Sequence, residues 1–256
     1  MDISLILPAY NESTSIAGTI GEISRYFQDR SFNYEIIVAA DGDDGTRDIV
    51  SQLARSNSSV KVIGHVERRG KGLGVREAVA LSAGEIVGYV DADNKVDIRE
   101  FEKLEPFLQE GYHVVFGSRG FHQSLIERQQ PWFRRLGSRG FGLFMHAVVG
   151  LQGIKDTQCG FKFFSREAAF RIFGEQKVDG YMFDVEILKI AQNQGWRLKE
   201  VPIRWRDDGD SRLELVRGNV RNAIDIFKIR QSSRRAHRLS IVAKVSEVVL
   251  DDREPH

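Results

Sequence analysis

The sequence predicts an α/β fold: one domain with a mainly parallel central sheet flanked by helices. Three observations point there. Short β-branched runs alternate with helix-length stretches from residue 3 to residue 110, the order expected of βαβ units with right-handed crossovers. The runs are apolar along most of their length, as strands buried on both faces are. The 256 residues, 41% apolar and 29% charged, suit one domain, or one domain with a tail, and exclude disordered and collagen-like chains.

Each element follows in order. ISLIL (3–7) reads as the first strand, with a helix near 14–28. YEIIVAA (34–40) and VKVI (60–63) are the next two strands, followed by helices near 46–55 and 72–83. EIVGYV (85–90) is the fourth, and the helix after it, near 98–110, opens on Asp97-Ile98-Arg99-Glu100 with the spacing of a capping box. YHVVFGS (112–118) is a fifth strand. Beyond it the order is less regular: a long segment without clear period, FKFFS (161–165), a helix near 182–194, RLKEVPIRW (197–205) and a helix near 214–230. Residues 239–250 fit a helix or an edge strand equally well.

Net charge is +1, from 37 basic and 36 acidic residues, but the charges are unevenly placed. Arg119, Arg128, Arg134, Arg135 and Arg139 face a single acid, Glu127, within 119–139. The stretch 230–238 carries Arg230, Arg234, Arg235 and Arg238 and no acid. Two such regions suit anionic partners or, more blandly, solvated faces. Nucleic acid fits poorly, because stacking aromatics do not interleave with the basic runs. Cys159 stands alone, so no intrachain disulfide forms, in keeping with a reducing compartment. No apolar run approaches the ~20 residues of a membrane span. Met1-Asp2-Ile3 leads straight into a strand without a basic lead, so no signal peptide is expected and the location expected is cytoplasmic.

In a parallel sheet, ligands bind beyond the carboxyl ends of the strands. Those positions hold Pro8-Ala9-Tyr10-Asn11-Glu12, Ala40-Asp41-Gly42-Asp43-Asp44-Gly45-Thr46, Glu67-Arg68-Arg69-Gly70-Lys71-Gly72-Leu73-Gly74 and Asp91-Ala92-Asp93-Asn94. Gly70-Lys71-Gly72 lacks both the upstream glycine spacing and the Ser or Thr of a P-loop. A dinucleotide fingerprint would place its glycines after the first strand, and no zinc or nucleophile-elbow pattern occurs. Asp91 and Asp93, one residue apart at a strand end, are hard oxygen donors suited to Mg²⁺ or Mn²⁺, with water and a diphosphate completing the shell.

In this order the motifs resemble glycosyltransferase family 2, A-type fold, out to about residue 230. Gly117-Ser118-Arg119, the run Arg134 to Gly140, Asp156-Thr157-Gln158-Cys159-Gly160-Phe161-Lys162 and Phe183-Asp184-Val185-Glu186 are similar to its polyprenyl-phosphate sugar synthases, most of all those that glucosylate dolichyl phosphate. The resemblance implies a nucleotide-sugar-binding half (1–117), an acceptor-binding half (118–230) and a basic tail (231–256). It implies that Pro8, Tyr10, Glu12, Asp41, Lys71 and Asp91 hold the nucleotide. Asp93, with Asp91 beside it, binds the metal, and Arg119, Arg134, Ser138 and Arg212 surround the phosphates and sugar. Asp93, Arg119 and Arg134 are the expected catalytic set.

Two positions depart from the family pattern: Ala40 replaces the first of two aspartates, and Lys95 stands where mannose-transferring members often have glutamine. The expected activity is inverting transfer of a hexose, glucose from UDP-glucose, to dolichyl or polyprenyl phosphate at the cytoplasmic membrane face, in support of protein glycosylation. GDP-mannose as donor, a saccharide acceptor, and a nucleotide-sugar-binding module without turnover are the alternatives. Asp184 and Glu186, two apart on a helix, face different ways, and one of them is open to being merely solvated. Phe141, Phe144, Met145, Val148 and Val149 have helical spacing, read as core or as a face for a lipid tail.

Overall fold

A computed structural model describes residues 1–121, 148–206, 222 and 224–231. Its strands are β1 (Ile3–Tyr10), β2 (Tyr34–Asp41), β3 (Val60–Ile63), β4 (Ile86–Val90), β5 (Val114–Ser118), β6 (Phe161–Ser165) and β7 (Leu198–Pro202). Its helices are α1 (Ile16–Asp29), α2 (Thr46–Ser56), α3 (Lys71–Ala80), α4 (Phe101–Gln109), α5 (Arg166–Glu175) and α6 (Phe183–Asn193), with a 3₁₀ turn, Ile98–Glu100, leading into α4. Residues 224–231 are also helical.

The strands form one sheet in the order β3-β2-β1-β4-β6-β5-β7. Only β6 runs against the rest, pairing antiparallel with both β4 and β5. Side-chain alternation divides the core into two layers. Leu5, Leu7, Ile36 and Val38 pack beneath α1, α2 and α4 through Ile20, Ile23, Val50, Phe101 and Leu104. Ile6, Ile37, Val87 and Tyr89 pack under α3, α5 and α6 through Val75, Val79, Ile172, Phe173, Phe183 and Ile187. Strands clothed on both faces need apolar side chains at every position, hence runs such as YEIIVAA.

Several expectations are corrected. Strands β1 and β2 extend to Tyr10 and Asp41, so Pro8 and Tyr10 belong to a strand end rather than a loop. Helix α5, unforeseen, follows β6 with no loop between: Ser165 ends the strand and caps the helix, its side chain accepting from the Ala168 N–H at 3.4 Å. Only half of the capping box forms. Asp97 accepts from the Arg99 N–H at 2.9 Å, whereas Glu100 turns inward to accept from Lys103 and from the Arg204 N–H at 3.1 Å. Of the Phe141–Val149 set, only Val148 and Val149 fall within the described residues, and both pack on the core.

Candidate active site

The site starts from an unequal pairing of β1. With β2 its ladder runs to Tyr10↔Asp41, but with β4 it stops at Ile6↔Tyr89. The carboxyl ends of β1 and β4 therefore part at the point where the strand order reverses, which makes a crevice. Pro8, which lacks an N–H, lies past the last β4 pairing, where no ladder donor is needed.

On the β2 side of the crevice, Asp41 is buried and organises the loop after β3. Its Oδ1 accepts from the His65 N–H at 3.2 Å, and its Oδ2 from the Arg69 and Gly70 N–H groups at 2.7 and 3.2 Å. Glu12 accepts from the Ser15 hydroxyl at 2.8 Å, and its N–H donates to Thr46 Oγ1 at 3.0 Å. Asp44 ties the same loops together. Its slight burial works against ionisation, but hydrogen bonds from Thr46 and Ser13 outweigh it and hold the carboxyl at about 2. The guanidinium of Arg68 lies 4.2 Å from the centre of the Tyr10 ring.

Lys71 opens α3 and points into the crevice, between two carboxylates. Its Nζ lies 2.6 Å from Asp91 Oδ1 and 3.9 Å from Asp184 Oδ2. Burial alone would lower its pKa, but Asp91 and then Asp184 more than reverse this and hold the ammonium above its usual range. The flanking glycines make the placement possible. Gly70 has φ +124°, and a Cβ there would fall 2.3 Å from the Asp179 carbonyl oxygen; at Gly72 it would meet the Val178 carbonyl oxygen at 2.5 Å. Two N–H groups in the first turn of α3, those of Gly72 and Leu73, are not open to a phosphate, since both donate to Asp179 O. That agrees with the rejection of a P-loop.

Asp184 is the hub behind Lys71. Its Oδ1 accepts from the Tyr89 hydroxyl and from Lys162 Nζ, the latter at 2.6 Å. Lys162, fully enclosed on β6, also donates to Cys159 O at 2.7 Å. Asp184 and Glu186 do face apart, but neither is solvated: they are 2% and 4% exposed. Glu186 accepts from the Lys177 and Val178 N–H groups, and burial first of all raises its pKa. Cys159 is inert packing, its thiol pushed up to about 12 by burial.

Asp93 sits beside Lys95, with 2.9 Å between Lys95 Nζ and Asp93 Oδ2. Both carboxylates of the D-A-D run thus face a crevice ammonium and remain partly open, with side chains 41% exposed at Asp91 and 35% at Asp93. Among the described residues no group of three His, Cys, Asp or Glu is placed to enclose a metal ion. Two hard carboxylates without a full protein cage nonetheless match Mg²⁺ or Mn²⁺ chemistry, in which substrate phosphates complete the shell. Asp91 is held from behind by Gly160, whose carbonyl accepts the Asp91 N–H at 3.0 Å. A Cβ at position 160 would fall 2.1 Å from Asp91 Oδ2. Gly160→Ala should therefore displace the carboxylate, lowering turnover at a stability cost of about 1–3 kcal/mol. Kinetics and melting of the variant check this; unaltered turnover would free Asp91 from any need for exact placement.

Arg119 follows β5, and Asp156 grips it through Nε at 2.7 Å and Nη2 at 2.9 Å, while Trp205 lies under the guanidinium at 5.5 Å. Asp156 is itself fixed by Glu200, which accepts from the Lys155 and Asp156 N–H groups. Burial works against the charge on Asp156, but Arg119 outweighs it and holds the carboxyl below its usual range. Arg134, Ser138 and Arg212 lie outside the described residues. Asp156, Lys162 and Asp184 are the functional neighbours that sequence reasoning assigned no role. Their one signal was position, within the DTQCGFK and FDVE runs.

The family profile described as Glycosyl transferase family 2 matches residues 4–173. A dolichyl-phosphate β-glucosyltransferase of Trichomonas vaginalis is 35% identical over 237 residues, covering 88% of this chain and 70% of that protein. The protein of that name from Homo sapiens is 34% identical over 228 residues, covering 82% and 69%. Among solved structures, glucosyl-3-phosphoglycerate synthase from Mycobacterium tuberculosis, in complex with Mn²⁺, UDP and phosphoglyceric acid, is similar with a TM-score of 0.66 at 20% identity, over 91% of this chain and 78% of that one. Mannosyl-3-phosphoglycerate synthase from Rubrobacter xylanophilus gives 0.66 at 19% identity, over 94% and 75%. The A-type architecture expected from the sequence is thus the one observed.

Proposed function

Because the chain belongs to glycosyltransferase family 2, we propose that it transfers glucose from UDP-glucose, with inversion, to dolichyl or another polyprenyl phosphate at the cytoplasmic face of a membrane. A nucleotide-sugar-dependent glycosyltransferase needs a crevice that takes a nucleoside at one end and a diphosphate at the other. One observation carries the reading: Tyr10 and Asp41 stand at the β1–β2 end of the same opening that presents Asp91, Asp93, Lys71 and Lys95 at its β4 end. The relatives' names supply the glucose and the dolichyl phosphate.

Asp93, with Asp91 behind it, would hold Mg²⁺ or Mn²⁺, which when bound supplies charge neutralisation for the departing nucleoside diphosphate. The chain's own groups do the rest. A phosphomonoester has a second pKa near ~6 and is largely dianionic at neutral pH, so the acceptor oxygen needs no carboxylate base. It needs cations that hold it beside an anionic donor. Arg119 suits this: Asp156 occupies two of its guanidinium N–H groups, fixing the plane and leaving the others for phosphate oxygens. Arg134, Arg212 and Ser138 would complete that cradle.

The test is turnover of UDP-glucose and GDP-mannose with dolichyl phosphate and Mn²⁺ or Mg²⁺. Glucosyl-phosphodolichol from UDP-glucose alone is the expected product. Mannosyl product from GDP-mannose would reassign the donor, and donor hydrolysis without lipid product would reassign the acceptor.

Among the described residues no helix is long and apolar enough to cross a membrane, so a lipid acceptor would be reached from the surface. Ile224 and Phe227, 51% and 59% exposed, lie one helical turn apart beside Lys228, and Arg230 and the basic run to Arg238 follow. Basic groups at anionic lipid contribute about 1 kcal/mol each, screened by salt. Flotation with phosphatidylserine vesicles should show binding at low salt that high salt releases. Equal, negligible binding in both would remove the surface-attachment reading.

A further inference from the structure

Arg68 stands in the loop after β3 without a role assigned from the sequence, yet it spans the mouth of the crevice. Its guanidinium rests 4.2 Å from the centre of the Tyr10 ring and donates to the Tyr181 hydroxyl at 2.9 Å, joining the end of β1 to the turn before α6. The backbone beneath it is pinned, because the next two N–H groups, of Arg69 and Gly70, both bind Asp41 Oδ2. The side chain is not pinned in the same way: Arg68 is exposed, and so is Tyr181, at 41%. A fixed base under a long, solvent-facing arm allows the guanidinium to lift by one ring thickness while its loop stays in place.

We infer that Arg68 is the outer wall of the nucleobase slot, the base entering between its guanidinium and the Tyr10 ring while Tyr181 holds the arm over it. This rests on the nucleotide-sugar reading above. A guanidinium plane and an aromatic ring both stack on a base, and both do so without reading its sequence-specific edge. Asp41 stands opposite Tyr10 in the ladder. Its Oδ1 accepts one N–H and its Oδ2 two, so one acceptor position of the carboxylate is left for a ring N–H of the base. Stacking and edge recognition are thus side by side. In the absence of a nucleotide, the contact of Arg68 with Tyr10 covers the apolar ring face that the base would otherwise cover.

Calorimetric titration of the full chain with UDP in Mn²⁺, with uridine, and with inorganic pyrophosphate tests this. Arg68→Ala should weaken UDP and uridine alike, by about tenfold, and leave pyrophosphate unchanged. Tyr181→Phe, which removes only the tether, should weaken UDP two- to threefold, roughly the worth of one hydrogen bond. UDP affinity unchanged in Arg68→Ala would overturn the inference. So would a loss shared equally by pyrophosphate, since Arg68 would then act on the phosphates. Failure of the unaltered protein to bind UDP at all would instead overturn the nucleotide reading on which it rests.

Discussion

Asp184→Ala should lower the free energy of unfolding by about 3–5 kcal/mol, because it leaves a buried ammonium without its counter-charge. Lys162 is completely enclosed, and with Asp184 gone the hydrogen-bond partner left to it among the described residues is the Cys159 carbonyl. Denaturant midpoints at constant m-value measure the loss. The double variant Lys162→Met with Asp184→Ala should recover much of it, since removing both members of a buried pair is often nearly neutral. A residue of about 1–3 kcal/mol should persist, from the Tyr89 hydroxyl that loses its acceptor. If Asp184→Ala moved stability by no more than an ordinary surface change, about 0.5 kcal/mol, the hub would not be holding the charge of Lys162.

Asp93→Asn should cost about a hundredfold or more in transfer with little change in stability, and EDTA should do the same to the unaltered protein. The reasoning is electrostatic. Several kcal/mol of transition-state charge stabilisation belong to a bound metal, and each ~1.4 kcal/mol is tenfold in rate. Asp184→Asn makes the informative contrast. Asp184 has both oxygens turned toward Tyr89, Lys162 and Lys71 and is 2% exposed, so it is no candidate for a base. Its amide variant should lose much less transfer than Asp93→Asn. Full activity of Asp93→Asn in the presence of EDTA would remove the metal from the scheme and leave Lys95 and Lys71 to offset the diphosphate charge.

The first half of the fold was legible because each βα unit signals itself twice, by an apolar run and by the polar loop that ends it. The D-A-D carboxylates and Lys71 were legible for the same reason: they sit where a parallel sheet exposes its strand ends. The second half hid its structure in chemistry that periodicity does not carry. Ser165 serves at once as strand end and helix cap, so no loop announces α5. Asp184 and Glu186 look like solvent residues by type. They are buried because their partners, Lys162 on β6 and the N–H groups of Lys177 and Val178, lie on other parts of the chain. Arg119 was visible as a cation; that Asp156 aims it was not, since a pair 37 positions apart leaves no local trace.

The position of β6 also bears on how the chain assembles. Strand β4 and strand β5 are consecutive in sequence but not neighbours in the sheet, since β6 lies between them. Until residue 165 has emerged, β4 presents an open edge beside β1, and β5 has neither of its partners, β6 and β7. Synthesis at about 5–20 residues per second would leave both edges unpaired for several seconds. Unpaired edges invite strand addition from other chains. A nascent chain stopped between β5 and β6 is therefore the form most prone to aggregate and most in need of a chaperone, whereas one that has completed β6 covers the edge of β4 and joins β5 to the sheet in a single step, leaving only the outer edge of β5 to await β7.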